Sequence, residues 1–284
     1  MARIAVSGIE IDYELLGADG APAVVITPGG RYPKETPGVR ALADKLVEGG
    51  KRVLWWDRPN CGASDISFEG ESESSLHADT LIGLIRALDL GKVTIAGGSA
   101  GSRVSLIAAS RAPELASHLI VWWISGGPIS LAQLAAYYCG GSAMAAAHKG
   151  IEAVARLPEW AEQIARNPRN RDIILRQDPG VLIAQMQRWA QAYAYSESSP
   201  VPGMSAEAFG KLTMPALVFR SGASDVSHTR ETSEWVHKLI PGSQLIEPPF
   251  EDQEWNNRMA APAEEGRFLN WPKLAPYILD FTKR

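Results

Sequence analysis

The sequence predicts an α/β protein: a mainly parallel sheet flanked by helices and interrupted once by a long helical insertion. Three observations carry that expectation. Continuously apolar runs such as Pro22-Ala-Val-Val-Ile-Thr27 and Arg52-Val-Leu-Trp-Trp56 read as strands buried on both faces, the mark of a parallel sheet. Segments with helical apolar spacing alternate with these runs. Over 129–209 the strands give way to alanines, glutamines and aromatics at helical spacing.

In chain order, 3–16 holds two short alternating stretches around Ser7-Gly8 and reads as a hairpin. The strand ending at Thr27 runs into Pro28-Gly29-Gly30-Arg31, and 37–47 reads as a helix closed by Gly49-Gly50. After the Trp56 strand come Asp57-Arg-Pro-Asn-Cys-Gly-Ala-Ser64, an acidic loop, and a helix over 75–88 with Leu76, Leu81, Leu84, Ile85 and Leu88 on its apolar face. Val93 to Ile95 opens the next strand, and 118–125 is strand-like up to Gly126-Gly127-Pro128. Pro158, Pro168 and Pro179 punctuate the insertion, and Ser196 to Pro202 reads as the loop that closes it. A strand at 216–219, a helix at 229–239, a strand at 244–246 and a last helix at 274–281 follow. The expected division is a core of 1–128 and 210–284 with a helical lid of 129–209.

Composition narrows the function. Twenty-eight basic against thirty-two acidic residues give a net charge of −4 with no basic tract, which argues against a nucleic-acid partner. Cys61 and Cys139 are too few for a disulfide framework and fit a reducing compartment. The N-terminus lacks the long apolar core of a signal peptide, and no apolar run reaches the ~20 residues a membrane span needs, so a soluble, cytoplasmic protein without a membrane partner is expected. The histidines and cysteines are scattered, and neither a phosphate-binding P-loop nor a dinucleotide fingerprint occurs; the expectation is a mechanism without metal or cofactor.

Chemistry concentrates at Gly97-Gly98-Ser99-Ala100-Gly101, a G-x-S-x-G match set between a β-branched run and an apolar helical segment. Glycines there let the chain turn sharply, which puts the Ser99 hydroxyl at a strand end over a helix N-terminus, where free N–H groups favour negative charge. Ser99 is the candidate nucleophile; the alternative is a Gly/Ser-rich turn without chemistry. In parallel sheets ligands bind at the carboxyl ends of the strands, so Ser99, Gly29-Gly30 and Gly126-Gly127 are expected on one rim, with the insertion folded over it.

In order along the chain, the opening antiparallel strands, the Pro28-Gly29-Gly30 turn, the turn from Asp57 to Ser64, the Gly97–Gly101 elbow, the lid position and Phe219-Arg-Ser-Gly-Ala-Ser-Asp225 resemble the α/β-hydrolase superfamily. The nearest flavour is its lidded group of ester, lactone and carbon–carbon bond hydrolases. The resemblance implies an eight-stranded sheet with the lid inserted after the sixth strand. It also implies Ser99 as nucleophile, the backbone N–H groups of Gly30 and Ala100 as oxyanion hole, and Asp225 as the acid that orients the base.

The sequence departs from that pattern at the base. The superfamily's histidine follows the last strand, yet no histidine occurs after His237, and the corresponding stretch carries Glu251, Asp252 and Glu254. A serine hydroxyl without a base is a weak nucleophile. Three explanations stay open. His228, three residues after Asp225 on the active rim, is the best-placed relocated base, with His77 a second candidate; His118, His148 and His237 read as structural. Glu251 or Asp252 could serve as a carboxylate base beside Asp225. Or the chain binds a small ligand without hydrolysing it. Candidate pocket residues are Gly29, Arg31, Arg58, Trp123 and Trp255, the arginines as partners for a substrate carboxylate, although Arg58 could equally anchor its own turn. Trp122, Tyr137, Tyr138, Trp160, Trp189, Tyr193 and Tyr195 either line an apolar pocket or pack the lid onto the core. The substrate expected is a small apolar or aromatic molecule, and self-association through the lid is left open.

Overall fold

The computed structural model describes residues 2–262 and 265–283, so the outermost residues of the expected core, 1 and 284, and the pair 263–264 lie outside the described residues. The chain begins with β1 (Ala2–Val6) and β2 (Ile9–Leu16), an antiparallel hairpin whose turn places Ser7 and Gly8 at φ 50° and 83°. Then come β3 (Ala23–Thr27), α1 (Val39–Glu48), β4 (Arg52–Trp56), α2 (Glu73–Ala87), β5 (Val93–Gly98), α3 (Ala100–Arg111) and β6 (Ala116–Trp122). A helical section follows: α4 (Pro128–Ala135), a π-helical turn over Ala136–Gly140, α5 (Gly141–Lys149), α6 (Ile151–Ala155), α7 (Pro158–Arg166), α8 (Arg169–Leu175), α9 (Pro179–Gln191) and α10 (Ala206–Phe209). The chain closes with β7 (Ala216–Phe219), α11 (Arg230–Leu239), β8 (Gln244–Ile246), α12 (Glu254–Ala260) and α13 (Ala275–Phe281).

The eight strands form one sheet in the order β1-β2-β4-β3-β5-β6-β7-β8, antiparallel at β1–β2–β4 and parallel from β4 onward. Every residue of β3, β5 and β7 is buried, as strands covered on both faces must be. One face packs α2, α3 and the helical section into a single apolar core in which Ile95 and Val121 of the sheet share a cluster with Trp160 and Trp189. The other face packs α1 and α13 against Val24, Ile26, Ile120 and Trp122.

Differences from the expected elements have local causes. The helix expected from 75 starts at Glu73, because the Ser72 hydroxyl accepts the Ser75 N–H and caps it. The strand expected to reach Ser125 stops at Trp122, since Trp123 turns to φ 49°. The stretch after β8 contains a short helix, α12, where a loop was expected.

Polar bonds tie the helical section to the loop between β4 and α2. Asn170 accepts the Ile66 N–H at 2.8 Å and donates to the Ser64 carbonyl at 3.1 Å, while Asn167 bridges the Ala63 carbonyl and Asp65. Trp189 Nε1 and Gln185 Nε2 both donate to the Gly70 carbonyl. Trp160, Trp189 and Trp122 are fully buried packing residues, which decides them in favour of core over pocket.

Candidate active site

Ser99 sits between β5 and α3 at φ 56°, ψ −122°, a conformation that L-residues rarely adopt. Neighbouring glycines let the strained turn form. A Cβ on Gly97 would collide with the Gly101 carbonyl, one on Gly98 with the indole of Trp122, and one on Gly101 with the Thr27 carbonyl. The elbow is thereby pressed against β3 and β6 as well as turned within itself. Gly98→Ala is expected to lower stability by about 1–3 kcal/mol, because the fully buried Trp122 must shift to admit the methyl. Thermal unfolding of the variant reads this directly, and an unchanged midpoint would show that Trp122 yields freely.

His228 reaches the serine from the loop before α11. Its Nε2 lies 2.9 Å from Ser99 Oγ, and its Nδ1 lies 3.0 Å from Asp225 Oδ2. The other carboxylate oxygen, Oδ1, accepts the backbone N–H groups of Ser227 and His228, both at 2.9 Å. Asp225 and His228 thus belong to one hydrogen-bonded turn, and the helix after it is capped by Thr229, whose hydroxyl accepts the Thr232 N–H. Both members of the pair are buried. A backbone bridge between Gly126 and His228 holds this turn beside the end of β6.

Two indoles flank the imidazole. Trp123 stacks on it with centroids 5.8 Å apart and planes at 16°, and Trp255 of α12 meets it edge-on at 4.7 Å and 78°. The segment after β8 therefore contributes an aromatic wall to the histidine.

Ser99 and His228 open onto a cavity of about 230 Å³, lined also by Gly30, Tyr32, Ser125, Gln133, Leu134, Tyr138, Trp255, Met259 and Phe268. Gly30 has φ 48°, and Gly29 packs so tightly that a Cβ there would come within 2.9 Å of Ser99 Cβ. Ala100 opens α3, so its N–H has no acceptor within the helix.

Other candidates lie elsewhere. His77 is buried in α2, lines no part of the cavity and spends Nε2 on the Pro59 carbonyl at 2.8 Å; burial and the nearby Arg58 hold it well below the usual imidazole range. Glu251 and Asp252 line a separate hollow of about 130 Å³ on the Asp225 side. Hydrogen bonding from Ser224 and from the Ala223 N–H holds the exposed Asp252 carboxylate below its usual range, the opposite direction to the raised pKa that a carboxylate base would need.

The pocket expectation needs correction for four residues. Arg31 is buried and directed away from the cavity, with Nε 2.9 Å from Glu73 Oε1, Nη2 donating to the Tyr138 carbonyl, and the Trp160 ring 4.4 Å from its guanidinium carbon. Burial opposes its charge, but Glu73 outweighs that and raises its pKa. Arg58 donates to the carbonyls of Gly29 and Tyr32, which makes it the anchor of the β3 turn. Gly29 packs beneath Ser99, and Trp123 stands behind His228. Their signals, a charge or an indole near the rim, do not say which way a side chain faces.

Ser125, Ser130, Gln133, Leu134, Met259 and Phe268 were missed. A signal existed for part of them: 130, 133, 134, 137 and 138 share one helical face across α4 and its π-turn.

Among the described residues, Asp12, Glu35 and Asp57 are close enough to share a metal ion, but the buried Lys34 ammonium pairs with all three. The ammonium thus occupies the place between the carboxylates that an ion would take. Among the described residues, no helix is long and apolar enough to cross a membrane.

No family model matches the chain. It is 25% identical over 250 residues to human serine hydrolase BPHL, covering 86% of this chain and 77% of that protein. It is 34% identical over 88 residues, 31% of each chain, to the 2-hydroxy-6-oxononadienedioate/2-hydroxy-6-oxononatrienedioate hydrolase of Escherichia coli K12. Among solved structures, the enol-lactonase from Burkholderia xenovorans LB400 superposes with a TM-score of 0.62 at 18% identity, covering 100% of both chains.

Proposed function

We propose, for a chain that has the α/β-hydrolase fold and groups with that superfamily, whose relatives are hydrolases, that it is a serine hydrolase acting on an ester or lactone of a small, largely apolar molecule. The observation that carries this reading is the hydrogen-bonded run from Ser99 through His228 to Asp225 beside a cavity. Ser99 Oγ attacks the substrate carbonyl while His228 Nε2 takes its proton. Asp225 Oδ2 accepts the Nδ1–H, holding the tautomer with a free Nε2 and stabilising the imidazolium that forms. The N–H groups of Gly30 and Ala100 hold the oxyanion, and either is worth about 10²–10³ in rate. His228 then protonates the leaving alcohol, and a water activated by the same nitrogen releases the acyl group from Ser99. Helices 129–209 act as the cap, with Gln133, Leu134 and Tyr138 forming the roof over the acyl chain. Cleavage of a carbon–carbon bond would require the site to expel a carbon leaving group. An ester or lactone is the simpler demand on Ser99, because its alcohol leaves with one proton from His228.

The rate of labelling by a fluorophosphonate across pH, on wild type, Ser99→Ala and His228→Ala, tests the reading. Labelling is expected in wild type, absent in Ser99→Ala and slowed by about 10³-fold or more in His228→Ala. A wild type that stays unlabelled at every pH would overturn it in favour of a ligand-binding protein.

A further inference from the structure

Arg103, one turn into α3, is 1% exposed, and its contacts among the described residues include no carboxylate. Nη1 donates to Ser125 Oγ at 2.9 Å and Nε points to Ser74 Oγ at 3.4 Å. The rings of Tyr138 and Tyr193 lie 5.9 and 5.5 Å from the guanidinium carbon. All of these partners are neutral. A buried cation without an anion is costly, and chains normally provide one. Glu73, next in the chain to the Ser74 partner, is engaged elsewhere, accepting from Arg31 and Asn60. The neighbouring His77 offers no anion either, being a buried imidazole whose pKa burial, Arg58, Arg31 and Arg103 lower.

Ser125 connects Arg103 to the cavity. It lines the cavity together with Ser99 and His228. Its oxygen accepts from Arg103, so its single hydroxyl hydrogen must point elsewhere, and it has no acceptor among the described residues. A hydroxyl that accepts from a cation is a stronger donor for its own part. The rest of the lining is largely aromatic and aliphatic and suits an apolar chain.

We propose that Ser125, backed by Arg103, is a subsite of the cavity that binds a carboxylate carried by the substrate away from its scissile ester. The inference rests on reading this cavity as the site of ester hydrolysis and narrows that substrate to an ester or lactone with a free carboxylate. The substrate anion supplies the missing partner: its oxygen accepts the Ser125 O–H, with the guanidinium one hydrogen bond behind. Arg103 acts through Ser125 and is a positioning residue.

Calorimetric binding to Ser99→Ala, which cannot turn over, tests the subsite with two esters of equal length, monomethyl adipate and methyl hexanoate. The expected result is binding of the adipate ester at least tenfold tighter, which is about 1.4 kcal/mol. Adding Ser125→Ala is expected to bring the two within threefold. Equal affinities in Ser99→Ala, or a preference that survives Ser125→Ala, would overturn the proposal. The first comparison needs no Ser125 variant, so a failure of that variant to fold leaves it decisive. Failure of the hydrolase reading shows separately, as a wild type that a fluorophosphonate does not label.

Discussion

Asp225→Asn lowers the rate of Ser99 acylation by about 10⁴-fold while leaving the fold intact. The size follows from how the carboxylate is divided. Oδ1 is committed to two backbone N–H groups, of Ser227 and His228, and only an acceptor can satisfy them. An asparagine at 225 therefore keeps its carbonyl oxygen there and turns its NH₂ toward His228 Nδ1. Nδ1 must then accept, which puts the ring proton on Nε2, the atom that should take the proton of Ser99. Backbone bonds of the turn survive, so the thermal midpoint moves little. Single-turnover labelling of wild type and Asp225→Asn, with a melting curve of each, checks the prediction. A loss smaller than tenfold at unchanged stability would mean that Asp225 does not set the tautomer.

Glu73→Ala is expected to destabilise the protein by about 3–5 kcal/mol, the cost of leaving a buried charge without its partner. Glu73 is 2% exposed in the first turn of α2, and its Oε1 takes both Arg31 Nε and Asn60 Nδ2 at 2.9 Å. Without it Arg31 retains the Tyr138 carbonyl and the faces of Trp160 and Tyr138, none of which carries charge. This triad ties the turn after β3 to α2 and to the helical section, so the loss should spread to the cavity roof. For a domain of this size the shift is on the order of 10 °C in the midpoint. Glu73→Gln, which keeps a carbonyl acceptor, should lose distinctly less. Denaturant unfolding of the two variants decides the matter: a Glu73→Ala protein within 1 kcal/mol of wild type would show that Arg31 is solvated or re-paired by rearrangement.

Much of the architecture was legible because strands buried on both faces leave unbroken apolar runs. Arg52–Trp56 and Ala216–Phe219 are strands at the residues their composition indicated, and the partly exposed edge strand Gln244–Ile246 also lies where it was expected. Helix starts were less legible where a serine cap such as Ser72 sits among other serines, any of which could have capped. The segment 254–260 was hidden for a different reason. Pro248, Pro249 and the acidic residues after them look like solvated loop, and a seven-residue helix is too short for its period to stand out.

By itself the sequence determined which local geometries the chain could take: a glycine-flanked elbow that lifts Ser99, and an Asp225-to-His228 spacing that lets one turn hold both groups. It left four candidate bases for Ser99 in contention, because the partner lies 129 positions away and no local rule relates them. Tertiary structure decided among the arrangements by bringing strand ends together. With β6 and β7 adjacent in the sheet, the turn after β7 stands next to the elbow and presents His228 to Ser99, while burial directs His77, Arg31 and Arg58 to backbone or carboxylate partners of their own. Local sequence sets backbone torsions, whereas the direction of a side chain depends on which neighbours compete for its hydrogen bonds, and those neighbours exist only once the sheet has formed.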